Sequence, residues 1–175
     1  MQALTTTPSN THSDTLAADT SHATRSTCLL IKVDKLQLIV PRVLVAEVVD
    51  LEGINFSSSA NKDIKMFEWR DYQVPLVSAS LLSDECATQI HRHSKIIVLH
   101  AVVNREKLPF YAFIASINPR LVVVSASSIE ERADQNQLSA YSPVLMPVVV
   151  EGEMAAIPRV HQIEKYILET LPGRA

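Results

Sequence analysis

The stretch that decides the fold is KMFEWRDYQVPLV, residues 65–77. Two runs rich in apolar and aromatic residues flank the polar pair Arg70 and Asp71, and such a two-residue connection is typical of an antiparallel β-hairpin. Pro75 lacks a backbone N–H, which favours a short strand or a position at a sheet edge. The stretch therefore predicts a hairpin whose tip is Arg70 and Asp71.

Three more segments repeat this pattern. In each, two short β-branched runs are joined by a brief polar connection, and the predicted hairpins run from Cys28 to Val40, from Lys95 to Ile117 and from Val144 to Ile157. The connections are too short for the crossovers that a parallel sheet needs, so the pattern indicates an all-β domain. A helical turn is expected at residues 78–82. Apolar residues at helical spacing predict an amphipathic helix at residues 160–171.

A weak internal repeat links the first and last hairpins. LIVPRV at residues 38–43 matches AAIPRV at residues 155–160, and the same register places Glu47 on Glu164. The repeat predicts two similarly built β halves, each with a hairpin that ends at Pro-Arg-Val. The alternative is chance similarity over six apolar-rich positions.

The chain ends differ in composition from the rest. Residues 1–27 are dominated by Thr and Ser and contain few large apolar side chains. Such a segment buries too little apolar area to offset the entropy lost on ordering the backbone. We expect a disordered tail at residues 1–27, a folded domain at residues 28–171 and a short tail at residues 172–175.

Composition and charge exclude several classes of function. Only three glycines are present, Gly53, Gly152 and Gly173, and their spacing excludes glycine-rich phosphate-binding loops. The net charge of -3 gives no attraction for nucleic acid or an anionic membrane surface. No apolar run is long enough to cross a bilayer, and no signal-peptide pattern is present. We therefore expect a cytoplasmic protein without nucleic-acid binding or direct membrane insertion.

The sequence contains no convincing catalytic or metal-binding group. Cys86, His91 and His93 lie in one polar segment, but a zinc site usually needs a fourth ligand and a recurring spacing, and neither is present. No serine or cysteine sits in the sharp turn that activates a nucleophile. We expect neither an enzyme nor a cofactor or metal site.

The hairpin tip is the best candidate for a binding surface. It brings together Trp69, the only tryptophan of the chain, with Arg70 and Tyr72. Tryptophan, tyrosine and arginine are the residues most enriched at binding hot spots. The alternative is that Trp69 fills the core beside Val74 and Leu76 and that the turn is simply solvated.

At this hairpin the chain resembles the CheW-like adaptor family of bacterial chemosensory systems. That family has an Asn-Leu-Arg-Gly turn, a Val-Pro-(Ile/Val)-Val-Asp strand and a short helix. Here the matching residues are EWRD at 68–71, VPLVS at 74–78 and the leucines at 81–82. Upstream, VAEV at residues 45–48 matches a Val-x-Glu stretch of the family. Variants from type IV pilus (twitching motility) systems look most similar, because they share the short length and altered turn motifs.

The resemblance implies both a fold and a function. The implied fold is two five-stranded SH3-like β-barrels packed around a shared core, with the C-terminal amphipathic helix. The implied function is a non-catalytic adaptor between the cytoplasmic tip of a methyl-accepting receptor and the regulatory domain of a CheA-type histidine kinase, recruited to membrane receptor arrays. By position, the implied partner-binding residues are Val45, Glu47 and Arg70, and the hairpin tip adds Trp69 and Asp71.

The chain also departs from the family pattern. Asp71 replaces the turn glycine, Ser78 replaces an aspartate, and SINPR at residues 116–120 replaces an Asp-Gly-Val type of turn. The charge of Asp71 is expected to compete with a partner carboxylate for Arg70. A small SH3-like or OB-like module that binds another protein or nucleic acid is the alternative function.

Overall fold

The computed structural model describes residues 25–58, 63–84, 86–131 and 145–171. The strands are β1 (Arg25–Val33), β2 (Leu36–Pro41), β3 (Val45–Asp50), β4 (Phe56–Ser58), β5 (Ile64–Trp69), β6 (Tyr72–Val77), β7 (Lys95–His100), β8 (Phe110–Ala115), β9 (Arg120–Ser125), β10 (Ile129–Glu131), β11 (Leu145–Val150) and β12 (Glu153–Pro158). The α-helices are α1 (Ala79–Leu82) and α2 (Val160–Thr170), and 3-10 turns cover Arg42–Leu44 and Ala126–Ser128.

The strands form two mixed sheets. The first sheet has the order β10-β11-β12-β2-β1-β9, and the second has the order β3-β7-β8-β6-β5-β4. The predicted all-β class with two sub-structures and a C-terminal helix is confirmed. Each sheet has six strands rather than five, because the three-residue strands β4 and β10 extend the edges.

All four predicted hairpins are present, as the pairs β1–β2, β5–β6, β7–β8 and β11–β12. The turn between β5 and β6 has positive φ at both Arg70 (46°) and Asp71 (65°), as in the tight turns that match the twist of the strands. Strand β6 lies between β5 and β8 rather than at an edge. Its parallel pairing with β8 is at Leu76 and Val77, just beyond Pro75, so the missing donor lies outside that pairing.

The internal repeat does not divide the chain into two halves. Its two copies end β2 and β12, which are parallel neighbours in the first sheet, with Leu38 opposite Ala156. The first sheet is built from both flanks of the domain, β1–β2 and β9–β12, whereas β3–β8 form the second sheet. The repeat therefore marks two adjacent hairpins of one sheet, and the prediction of one copy per half is wrong.

The folded part begins earlier than expected. Strand β1 starts at Arg25, and Arg25, Ser26 and Thr27 pair with the C-terminal half of β9. Their side chains are exposed, and only their backbones are ordered, by pairing with β9. Such residues need no apolar side chains, so their polar composition does not reveal the strand. Of the expected tails at residues 1–27 and 172–175, residues 1–24 and 172–175 lie outside the described residues.

Three apolar clusters among the described residues hold the fold together. One lies inside the first sheet and a second inside the second sheet. The largest, which we call the shared core, joins both sheets to the buried face of α2. Among its fully buried members are Ile31 and Leu38 from the first sheet, Ile97 and Phe113 from the second, and Ile163 and Ile167 from α2. Burial on this scale is the main favourable contribution to folding.

Tyr111 in the shared core predicts alkaline sensitivity. Burial, and secondarily the nearby Glu164 carboxylate, raises the pKa of the Tyr111 phenol above its ordinary value. Above about pH 10 the unfolded chain releases this proton while the folded chain keeps it, so stability is lost as pH rises. We expect wild type to lose about 1 kcal/mol more stability than Tyr111→Phe between pH 8 and pH 11.

Urea denaturation at several pH values measures this difference. The matched control is Tyr72→Phe, which removes a half-exposed phenol from the end of the second sheet. That variant should lose stability with pH as wild type does. Parallel curves for wild type and Tyr111→Phe would show that the buried phenol does not contribute to the alkaline loss.

Candidate functional site

Four ring side chains meet at one end of the second sheet. Trp69 ends β5, Tyr72 begins β6, His100 ends β7 and Phe110 begins β8, and the ladder pairs Trp69 with Tyr72 and His100 with Phe110. Phe110 lies at the centre of the group: its ring centroid is 4.9 Å from that of Trp69, 5.0 Å from Tyr72 and 5.2 Å from His100. We call these four residues the aromatic cluster.

A charged pair borders the aromatic cluster. The Glu47 Oε2 atom accepts a hydrogen bond from Trp69 Nε1 at 2.8 Å and lies 2.9 Å from Arg70 Nη2. The Arg70 guanidinium carbon lies 4.9 Å from the centre of the Trp69 ring. Strand β3 thus supplies the carboxylate and the β5–β6 hairpin supplies both donors, which fixes the orientation of Arg70 at the tip.

The pair is open to solvent. The side chains of Arg70 and Glu47 are 66% and 37% exposed, and an exposed ion pair of this kind contributes only about 0–1 kcal/mol. A partner carboxylate can therefore replace Glu47 on Arg70 at little cost. The carboxylate that holds Arg70 comes from Glu47 on another strand, while Asp71, next to it in the turn, is exposed.

Trp69 lies in the core, as the alternative interpretation of the sequence predicts, and does not present an exposed ring to a partner. Its side chain is 8% exposed and packs in the apolar cluster of the second sheet with Val74 and Leu76. Only the indole N–H reaches outward, to Glu47. The exposed aromatic ring at the tip is Tyr72, which is 46% exposed. Trp69 therefore positions the exposed charged pair rather than presenting its own ring.

Val45 is not on the surface, contrary to the expectation that it contacts a partner. It is 5% exposed and belongs to the shared core. The reason is the local register: Val45 pairs with Leu99, and an irregularity follows before Glu47 pairs with Val98. This irregularity turns Val45 inward. The exposed apolar side chains beside it are Val43 and Val48, at 79% and 39%.

Sequence reasoning missed two members of the aromatic cluster, His100 and Phe110. The sequence predicts the hairpin from Lys95 to Ile117 but not the ends of its two strands. Strand β7 ends at His100 and β8 starts at Phe110. These strand ends place His100 and Phe110 opposite each other in the ladder. Recognising them in the sequence would have identified the pair of rings.

The residues considered for a metal site do not come together. Cys86 is buried in the shared core, whereas His91 and His93 are exposed. Arg92 Nε donates a hydrogen bond to His93 Nε2 at 2.8 Å. Within the described ranges, no group of three or more His, Cys, Asp or Glu side chains is arranged to hold a metal ion.

No helix in the described part of the chain is both long enough and apolar enough to cross a membrane. No protein-family model matches the sequence, and no curated protein sequence matches it. Among solved structures, the fold is similar to that of the scaffolding protein TtCheW from Thermoanaerobacter tengcongensis. The TM-score is 0.62 at 13% identity, over 79% of this chain and 87% of that one. The likeness shows a shared two-sheet, SH3-like architecture.

Proposed function

We propose that this chain is a non-catalytic adaptor of a bacterial chemosensory system that couples a methyl-accepting receptor to a CheA-type histidine kinase. The observation that carries the proposal is the exposed pair of Arg70 and Glu47. These residues stand at the positions that match the turn arginine and the Val-x-Glu glutamate of the CheW-like family, and they are in contact at 2.9 Å. The fold shared with a protein described as a scaffold supports the same conclusion.

The geometry suits reversible protein binding. Arg70 offers a guanidinium to a partner carboxylate, and Tyr72 adds an exposed aromatic ring at the same hairpin tip. Tyrosine and arginine at one exposed site are typical of interface hot spots. The contacts are few, so each complex is expected to be weak on its own. Signalling then depends on several adaptors and receptors held together in one array.

The more specific parts of the proposal rest on the sequence. The short length and altered turn motifs favour a system that controls type IV pilus twitching motility. The net charge of -3 argues against nucleic acid as the partner. We place the protein in the cytoplasm, recruited to receptor arrays at the membrane through its partners.

Titration calorimetry tests the proposal directly. The two probes are the regulatory domain of the kinase and a receptor-tip fragment encoded near this chain. We expect saturable binding to at least one of them with a Kd on the order of micromolar, which corresponds to a binding free energy of about -8 kcal/mol. Absence of binding to both at several hundred micromolar would refute the adaptor function. Salt-dependent binding to a single-stranded oligonucleotide would instead favour the nucleic-acid alternative.

A further inference from the structure

Helix α2 carries a buried carboxylate that holds a loop of the second sheet. Glu164 is 1% exposed. Its Oε1 atom accepts the backbone N–H of Val102 and its Oε2 atom accepts that of Val103, each at 2.8 Å. Charge-assisted hydrogen bonds to both oxygens make a strong and directional attachment. Glu164 therefore fixes the start of the loop at residues 101–109, between β7 and β8.

This loop connects α2 to the aromatic cluster. It begins directly after His100 and ends directly before Phe110. Hydrogen bonds within it join Ala101 N–H to the Pro109 carbonyl at 3.0 Å and Leu108 N–H to the Asn104 carbonyl at 2.9 Å. A loop held in this way has few alternative conformations. Glu164 therefore holds a loop whose two ends are joined directly to rings of the aromatic cluster.

The same hydrogen bonds leave two apolar side chains of the loop exposed. Val102 and Val103 are 44% and 64% exposed, because their backbones rather than their side chains face Glu164. Val103 lines an open groove of about 500 Å³ together with Leu168 of α2. Exposed apolar side chains beside a groove of this size are typical of binding surfaces.

We propose that the loop at residues 101–109 is a second contact element for the partner that binds the aromatic cluster, and that Glu164 is its positioning residue. The inference rests on the proposed function, and the loop is joined directly to the aromatic cluster because it follows His100 and precedes Phe110 in the chain. The occupant is an apolar segment of that partner with a carboxylate near its end. The charges at the groove support this choice.

The groove carries two lysines, Lys107 and Lys165. Of its two acidic side chains, Glu164 is engaged by backbone N–H groups and Glu169 lies 3.8 Å from Lys165. Lys107 is exposed at the loop. An apolar segment that ends in a carboxylate therefore places its apolar part on Val103 and its charge near Lys107.

Glu164→Gln tests the positioning role, and Glu169→Gln is the matched control on the same helix. The amide side chain of Gln keeps one acceptor but turns a donor toward the second backbone N–H. We expect hydrogen exchange at Val102 and Val103 to be at least about tenfold faster than in wild type. Affinity for whichever of the two probes binds wild type should fall about tenfold. Glu169→Gln should change neither quantity.

Val103→Ser keeps the test valid if Glu164→Gln fails to fold, because it changes an exposed side chain. We expect it to weaken partner binding by about fivefold without altering hydrogen exchange. If wild type binds a probe and Arg70→Glu weakens that binding while Val103→Ser and Glu164→Gln bind as wild type, the second contact element is refuted and the adaptor function stands. If wild type binds neither probe, the adaptor function itself fails.

Discussion

Arg70→Glu should weaken binding to the partner by at least about tenfold while changing the free energy of unfolding by less than about 1 kcal/mol. The variant reverses the charge offered to a partner carboxylate and places a second carboxylate beside Glu47. Arg70 is at a turn tip and its side chain is 66% exposed, so its removal leaves the apolar clusters intact. Calorimetric titration and urea denaturation of the same preparations measure the two quantities.

Lys35→Glu is the matched control for this variant. Lys35 is exposed in the tight β1–β2 turn of the first sheet, so it undergoes the same charge reversal away from the aromatic cluster. We expect its affinity to stay within about twofold of wild type. Equal losses in both variants would mean that net charge rather than Arg70 governs binding. A large loss of stability in Arg70→Glu would show that the tip is structural.

Ile97→Ala should destabilise the whole domain by about 2–5 kcal/mol. Ile97 is fully buried in the shared core, where the two sheets and α2 meet. The cavity left by the truncation weakens the packing of both sheets, so a single cooperative transition at lower temperature is expected. For a chain of this size the Tm should fall by roughly 5–15 °C, as measured by circular dichroism.

Ile117→Ala makes the same truncation at a side chain that is 53% exposed. Its effect on stability should lie within about 0.5 kcal/mol. Two separate transitions in Ile97→Ala, one shifted and one unchanged, would contradict the view that the shared core couples the sheets. An unchanged Tm would contradict the burial on which the prediction rests.

Much of the fold was predictable because its signals are local. The four hairpins were visible as β-branched runs around short polar turns, and α2 as apolar residues at helical spacing. The start of β1 was not, since Arg25–Thr27 are ordered by backbone pairing with β9 and bury no side chain. The pairing of β2 with β12 depends on residues more than a hundred positions apart. A short sequence repeat does not indicate that its two copies lie in the same sheet.

The site was predictable only in part. Residue type and spacing identified the hairpin tip, and the family resemblance added Glu47. Direct contact between Glu47, Trp69 and Arg70 depends on how β3 and the β5–β6 hairpin sit in the second sheet. The inward turn of Val45 follows from a register shift against β7. Burial of Glu164 was equally hidden, because a glutamate on an amphipathic helix ordinarily faces solvent.

The order of strands in the two sheets also determines which sheet has all its strands first during translation. A ribosome produces β3–β8 as one uninterrupted run, so a nascent chain that has passed Ala115 already contains every strand of the second sheet. The first sheet waits for β12, the strand that covers the open side of β2. Helix α2 emerges after that, and Glu164 with it. All four residues of the aromatic cluster are therefore translated before Glu164, whose carboxylate holds the adjoining loop.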